Sequence, residues 1–142
     1  MKRKASAVWE GGLKDGRGTI NADSGVLSGV NYSFSKRFGE EAGTNPEELI
    51  GAAHASCFSM AFSAQLGEAG ITPQRIESSS TVTIEKVAEG FSVTGVHLDV
   101  IAVVPGASED AVRKAAEQAK EGCPISKLLN APITMNAEVR TS

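Results

Sequence analysis

Residues suited to metal ligation, thiol chemistry or aromatic recognition are few. In 142 residues there are two cysteines, two histidines, one tryptophan and one tyrosine. Cys57 and Cys123 stand 66 positions apart (123 − 57), so no Cys-x-x-Cys pair exists. His54 and His97 complete no metal-ligand spacing with them. Charge of one sign is also missing. The formal net charge is −3, and the one basic cluster is Lys2, Arg3 and Lys4. That gives no electrostatic footprint for nucleic acid or for an anionic membrane. The cluster leads into 5–9, not into a long apolar run, which argues against a secretory signal. The longest apolar stretch, 49–64, is broken by Gly51, His54, Ser56, Ser59 and Ser63. It reads as a buried helix and not as a membrane span. These absences lead us to expect a soluble cytoplasmic protein with no structural disulfide, no nucleic-acid partner and no membrane partner.

What is present is ordinary globular material. Hydrophobic residues make up 41% and charged residues 22%, and the length suits a single domain over 1–142. Residues 3–10 and 19–22 read as strands around the glycine turns at Gly11, Gly12, Gly16 and Gly18. Residues 30–38 alternate and predict a third strand. Thr44, Asn45, Pro46, Glu47 and Glu48 form a helix start. Asn45 serves as cap, Pro46 takes the first helical position and two carboxylates face the positive end of the dipole. That helix is expected to run to about Ala69, with Gly70 stopping it. Its apolar groups lie nearly all round, so a central, buried helix is expected. Residues 75–87 and 91–104 predict a hairpin, and Ser108 predicts the cap of an amphipathic helix that Gly122 ends. A short helix from Cys123-Pro124 and a last strand over 132–140 complete an α+β fold, with antiparallel sheets around the long helix.

Few residues here can carry chemistry. Cys57 lies in the middle of the long helix, where packing as a small hydrophobe is as good a reading as reactivity. The helix dipole does not reach that position, so a thiolate there needs a separate cation. Cys123 begins a helix, where amide donors favour a thiolate, although a plain capping role fits equally well. Arg37 is a candidate cation, and Glu47 is a carboxylate able to orient an arginine through a bidentate pair. A solvated strand-end charge explains Arg37 as well, and a helix N-terminal carboxylate explains Glu47. His54, three positions before Cys57, shares its helix face; it is either a partner for the thiol or a satisfied core histidine.

The run from Gly43 to Ala61, which reads GTNPEELIGAAHASCFSMA, closely resembles the reactive-cysteine helix of the OsmC/Ohr family. Gly122-Cys123-Pro124-Ile125-Ser126 resembles that family's second-cysteine motif. Trp9-Glu10-Gly11, Ser24-Gly25-Val26-Leu27 and Arg37-Phe38 match the OsmC branch. The resemblance implies an intertwined homodimer that reduces organic hydroperoxides in oxidative and osmotic stress defence. It implies Cys57 as the residue that attacks the peroxide and Cys123 as the one that resolves the product. Arg37 would stand beside the attacking thiolate, and Glu47 would hold that arginine. No metal or bound organic cofactor is implied, only an external dithiol reductant, which in the Ohr branch is a lipoyl-bearing protein.

One distance follows from helix geometry. Ten positions separate Glu47 from Cys57, so their backbones lie about 15 Å apart along one helix. Glu47 therefore reaches its own Cys57 only through a bridging arginine, or else it serves the site of a partner chain. Two other readings stand beside the peroxidase. One is a dimeric stress-related binding module with inert thiols. The other is an acyl-transfer hydrolase using Cys57 and His54, for which no orienting third group is visible.

Overall fold

A computed structural model describes residues 1–142 as two compact units, Met1–Leu49 and Ile50–Ser142. The α+β class read from the sequence holds in both.

The first unit is a three-stranded antiparallel sheet, β1 (Ala5–Glu10), β2 (Arg17–Ala22) and β3 (Val30–Tyr32), in the order β1-β2-β3. Trp9, Gly18 and Tyr32 fall on one cross-strand row. The two rings pack at 5.5 Å between centroids. A Cβ on Gly18 would run into both of them, which is why the middle of that row has no side chain.

The third strand ends sooner than the alternation predicts. Residues 34–38 form a short helix, α1 (Phe34–Phe38). Ser33 caps it by accepting from the Lys36 amide at 3.2 Å. Phe34 and Phe38, read as one face of a strand, are instead i,i+4 neighbours with ring centroids 5.0 Å apart. A serine cap and an aromatic i,i+4 pair favour the helix over the strand here.

The long helix α2 (Pro46–Glu68) begins as the sequence predicts. Asn45 accepts from the Glu48 amide at 2.9 Å, and its side-chain amide donates to the Lys36 carbonyl at 3.0 Å. Beyond the helix end, Gly70 takes a φ of 74°, the left-handed conformation that ends helices at low cost.

The second unit holds the main core. Its sheet has the order β4-β5-β6, from β4 (Arg75–Val87), β5 (Gly90–Val103) and β6 (Ile133–Arg140). The β4–β5 hairpin is antiparallel, as expected. The antiparallel pairing expected from the sequence holds in the first sheet and in this hairpin, and one strand departs from it, because β6 lies parallel to β5. The connection between them contains α3 (Glu109–Gly122) and α4 (Pro124–Leu128). A crossover of that length returns the chain to the end where β5 began, which makes parallel pairing possible.

Val96, Leu98, Val100, Ala102 and Val104 are buried at every second position. Leu98, Val100, Ala102 and Val104 meet Phe58, Phe62 and Leu66 of α2 and Val112, Ala115, Ala116 and Ala119 of α3. Burying each of the larger side chains stabilises the fold by about 1.5–3 kcal/mol. Gly51 marks where α2 comes closest to the sheet. A Cβ there would lie 2.9 Å from the Ser80 carbonyl oxygen.

The expectation that α2 is buried all round also needs correction. Within this chain its buried positions are Glu47, Gly51, His54, Phe58, Phe62 and Leu66, a single stripe. Ala52, Ala53, Ser56, Met60, Ser63 and Ala64 are exposed on the other side. By length and composition α2 alone would suffice to cross a membrane, but its stripe of large side chains is part of the core. Small residues made the composition look uniformly apolar, while only the large ones are spaced to reach the sheet.

Candidate active site

Two groups of candidate site side chains are present, one in each unit. In the first unit, α1 aims Arg37 at Glu47, in the first turn of α2. Arg37 Nε donates to Glu47 Oε1 at 2.9 Å and to Oε2 at 3.1 Å, and Nη2 donates to Oε1 at 2.7 Å. Such a fork fixes the plane of the guanidinium as well as its position. The Glu47 side chain is 8% exposed and that of Arg37 is 37% exposed. The carboxylate is thus withdrawn from water while part of the cation faces outward. Phe38 lies beneath the guanidinium, with Cζ 5.0 Å from the ring centroid. A cavity of about 260 Å³ opens beside it, lined by Trp9, Leu13, Tyr32, Ser33, Phe34, Arg37 and Phe38. The combination is an apolar, aromatic cleft with one oriented cation in its wall.

In the second unit, the two cysteines that are distant in sequence come together. Cys57 sits half-buried on α2, and Cys123 is buried between α3 and α4. Cys123 ends α3 and caps α4. Its sulfur accepts from the Ser126 amide at 3.3 Å. That single amide reaches the thiol, since α4 has one turn and little dipole to offer. Burial pushes the Cys57 thiol up. The Ile125 amide pulls it back down, and the neighbouring Cys123 thiol, through a hydrogen bond and its charge, pushes it up again. A thiol held up in this way calls for a cation before it becomes a good nucleophile, as its mid-helix position already implies.

His54 is fully buried. Its Nε2 lies 2.8 Å from Ser126 Oγ and its Nδ1 lies 3.3 Å from Ser80 Oγ. Ser126 Oγ in turn lies 3.1 Å from Cys123 Sγ. Burial lowers the His54 pKa from the ordinary imidazole range, which favours the neutral ring. Of the two sequence readings of His54, the satisfied core histidine is the one found: both ring nitrogens meet serines, and Ser126 links the ring to Cys123.

A match to the family model of OsmC-like proteins spans residues 39–138. The chain is 47% identical over 141 residues to peroxiredoxin OsmC of Escherichia coli, covering 99% of each protein. The chain belongs to the OsmC family. The solved organic hydroperoxide resistance protein OhrB of Bacillus subtilis is 26% identical, with a TM-score of 0.71, and the match covers 96% of this chain and 98% of that one. An organic hydroperoxide resistance protein from Elizabethkingia anophelis shares the fold, with a TM-score of 0.74 at 24% identity, covering 100% and 99% of the two chains. The OsmC family model spans Glu47, Cys57 and Cys123 and begins two residues after Arg37.

Four residues were singled out from the sequence, and the structure joins them as two pairs, Arg37 with Glu47 and Cys57 with Cys123. Phe58 and Phe62 are fully buried in the core, and Met60 is 79% exposed. Missed from the sequence were the aromatic cleft beside Arg37 and the serine partners of His54. Ser126 carried a signal, because Cys-x-x-Ser opening a helix has the spacing of a cap and its third amide. Ser80 carried a weaker one, as a hydroxyl at an inward position of a strand.

Proposed function

We propose that this chain is a cysteine-based peroxidase that reduces organic hydroperoxides to alcohols, and hydrogen peroxide less well. The observation that carries this reading is the meeting of Cys57 and Cys123, in a chain nearly half identical to a peroxiredoxin.

The Cys57 thiolate attacks the outer oxygen of the hydroperoxide. The O–O bond breaks, Cys57 becomes a sulfenic acid, and the departing alkoxide takes a proton to leave as an alcohol. Arg37 is the cation that favours the thiolate and the charge growing on the departing oxygen, and Glu47 holds it in place. The Cys123 sulfur then attacks the Cys57 sulfur, giving a disulfide and water and protecting Cys57 from further oxidation. An external dithiol reduces the disulfide by exchange, becoming a disulfide itself. A lipoyl-bearing protein fits that role by analogy with the Ohr branch. The aromatic cleft beside Arg37 suits the organic part of the substrate. No step written here requires a metal or a bound cofactor.

The working unit in this reading is a cytoplasmic homodimer. Three features support it: the exposed small-residue side of α2, the distance of about 15 Å along the helix from Glu47 to Cys57, and the pairing of Arg37 with Glu47 inside one chain. Each site would combine the two thiols of one chain with the Arg37–Glu47 pair of the other.

One equivalent of cumene hydroperoxide should consume two thiols and release one alcohol. Mass spectrometry should find one Cys57–Cys123 disulfide within the chain. Cys123→Ser should complete a single fast turnover and then over-oxidise at Cys57. Thiols that survive the hydroperoxide would return the chain to the reading of a binding module.

A further inference from the structure

We propose that Ser126 and His54 form a proton relay for Cys123, with Ser126 touching the sulfur and His54 accepting the proton behind it. The inference rests on the two-thiol reading above and concerns its second step, the attack of Cys123 on the Cys57 sulfenic acid.

The three groups form an unbroken chain of hydrogen-bonding distances, 3.1 Å from Cys123 Sγ to Ser126 Oγ and 2.8 Å from there to His54 Nε2. His54 Nδ1 ends on Ser80 Oγ at 3.3 Å. Cys123 and His54 are at most 1% exposed and Ser126 is 6% exposed, so bulk water does not carry the proton. Both protonation states are satisfied without moving a heavy atom. With Cys123 as thiol, S–H donates to Ser126 Oγ, Ser126 O–H donates to Nε2, and Nδ1–H donates to Ser80. With Cys123 as thiolate and His54 as imidazolium, Nε2–H donates to Ser126 Oγ. The Ser126 hydroxyl then turns to the sulfur, joining the Ser126 amide already there at 3.3 Å. The thiolate therefore receives two donors. A histidine present only to fill space needs neither arrangement, and an apolar side chain would fill the same volume at less cost.

The chemistry balances. As the Cys123 sulfur attacks, its proton passes through Ser126 to His54, the S–S bond forms, and the S–O bond of Cys57 breaks. His54 gives that proton up to the departing hydroxide, which leaves as water, and the ring returns to neutral. When an external dithiol later opens the disulfide at Cys57, the proton released by its attacking thiol reaches Cys123 through His54 and Ser126. Burial holds the imidazole below its ordinary pKa, so it does not retain the proton between turnovers. The hydrogen-bonding partners of His54 are Ser80 of β4 and Ser126 of α4, and Cys57 stands one turn along α2. The β5 and α3 side chains packed in this core are apolar.

The test is stopped-flow oxidation with one equivalent of cumene hydroperoxide, from pH 5.5 to 9, on wild type, Ser126→Ala, Ser126→Thr and His54→Gln. A dimedone trap and intact mass measure how fast the sulfenic acid becomes disulfide, relative to how fast it forms. Wild type should resolve at a rate that is flat through neutral pH and falls only below the ordinary imidazole range. Ser126→Ala and His54→Gln should resolve about tenfold slower or worse at pH 7, accumulate trapped sulfenic acid, and gain rate with rising pH towards the thiol range. Ser126→Thr keeps the hydroxyl and should restore the flat profile. A wild-type rate and profile in Ser126→Ala overturn the relay, and that comparison stands even where His54→Gln fails to fold. Absence of any Cys57–Cys123 disulfide in wild type would overturn the two-thiol reading itself, and the relay with it.

Discussion

In the first unit the functional groups are charged and only partly withdrawn from water. In the second they are two thiols, a hydroxyl and an imidazole, all buried except the half-buried Cys57. Arg37 keeps 37% of its side chain exposed while a fork of hydrogen bonds ties it to an almost buried carboxylate. Cys123, Ser126 and His54 carry no formal charge at rest, and each finds its partner inside the core. The difference follows from the cost of burying charge. An isolated ion in the interior is expensive and a paired one breaks even at best, whereas a neutral polar chain with every group satisfied is tolerated. The permanent cation therefore stands at the edge of a cleft, and charge arises in the core only during a reaction.

This contrast can be broken from either side. The largest effect is expected at the thiol itself. Cys57→Ser should remove hydroperoxide consumption, by about a thousandfold or more, because no other group has the nucleophilicity. Unchanged turnover in a ferrous-oxidation assay for peroxide would end the mechanism. Arg37→Met should follow, slowing the oxidation of Cys57 by about 10²–10³-fold, the usual loss when one oriented charge donor is removed. Stopped-flow rates decide whether Arg37 serves the thiol at all. Mixing Cys57→Ser with Glu47→Ala chains sharpens the same side. Activity that returns only in the mixture would place the charged pair and the thiols on different chains, and a mixture as inactive as its parts would place them on one.

Two smaller effects probe the packed side. Gly51→Ala should cost about 1–3 kcal/mol, since the added Cβ must push α2 away from the Ser80 carbonyl. Urea unfolding measures this, and no shift in midpoint would mean that the approach of helix to sheet has slack. His54 should then appear in the pH dependence of stability. Its folded pKa lies below the unfolded value, so its contribution is complete above about pH 6.5 and is lost as the pH falls through the folded pKa. The slope should reach at most about 1.4 kcal/mol per pH unit in that window. His54→Gln should flatten that part of the curve, and parallel curves would show that the ring takes up its proton without penalty.

Much of the fold was legible because local rules spoke clearly. Asn45 and Pro46 mark the start of α2 and Gly70 its end, and the β-rich runs from 75 and 91 became the hairpin. Residues 30–38 misled because alternation over so few positions fits two phenylalanines on a strand and also at i,i+4 on a helix. Ser33 settles the matter through a hydrogen bond that alternation does not register. The uniformly apolar look of α2 misled for a related reason. Composition counts alanine and phenylalanine alike, but only side chains long enough to reach the sheet bury the helix.

Taken alone, the sequence determined most of the element types, the two thiols as the residues to watch, and the need of a mid-helix cysteine for a cation from elsewhere. Each of these depends on spacing within a few residues. Only the tertiary structure decided that Cys57 and Cys123 meet, that Arg37 and Glu47 pair within one chain, and that His54 answers to Cys123 through Ser126. Apart from the local step from Cys123 to Ser126, those contacts join residues 10 to 72 positions apart. Partners at such separations are set by how helices and sheet pack and by the requirement that every buried polar group find one.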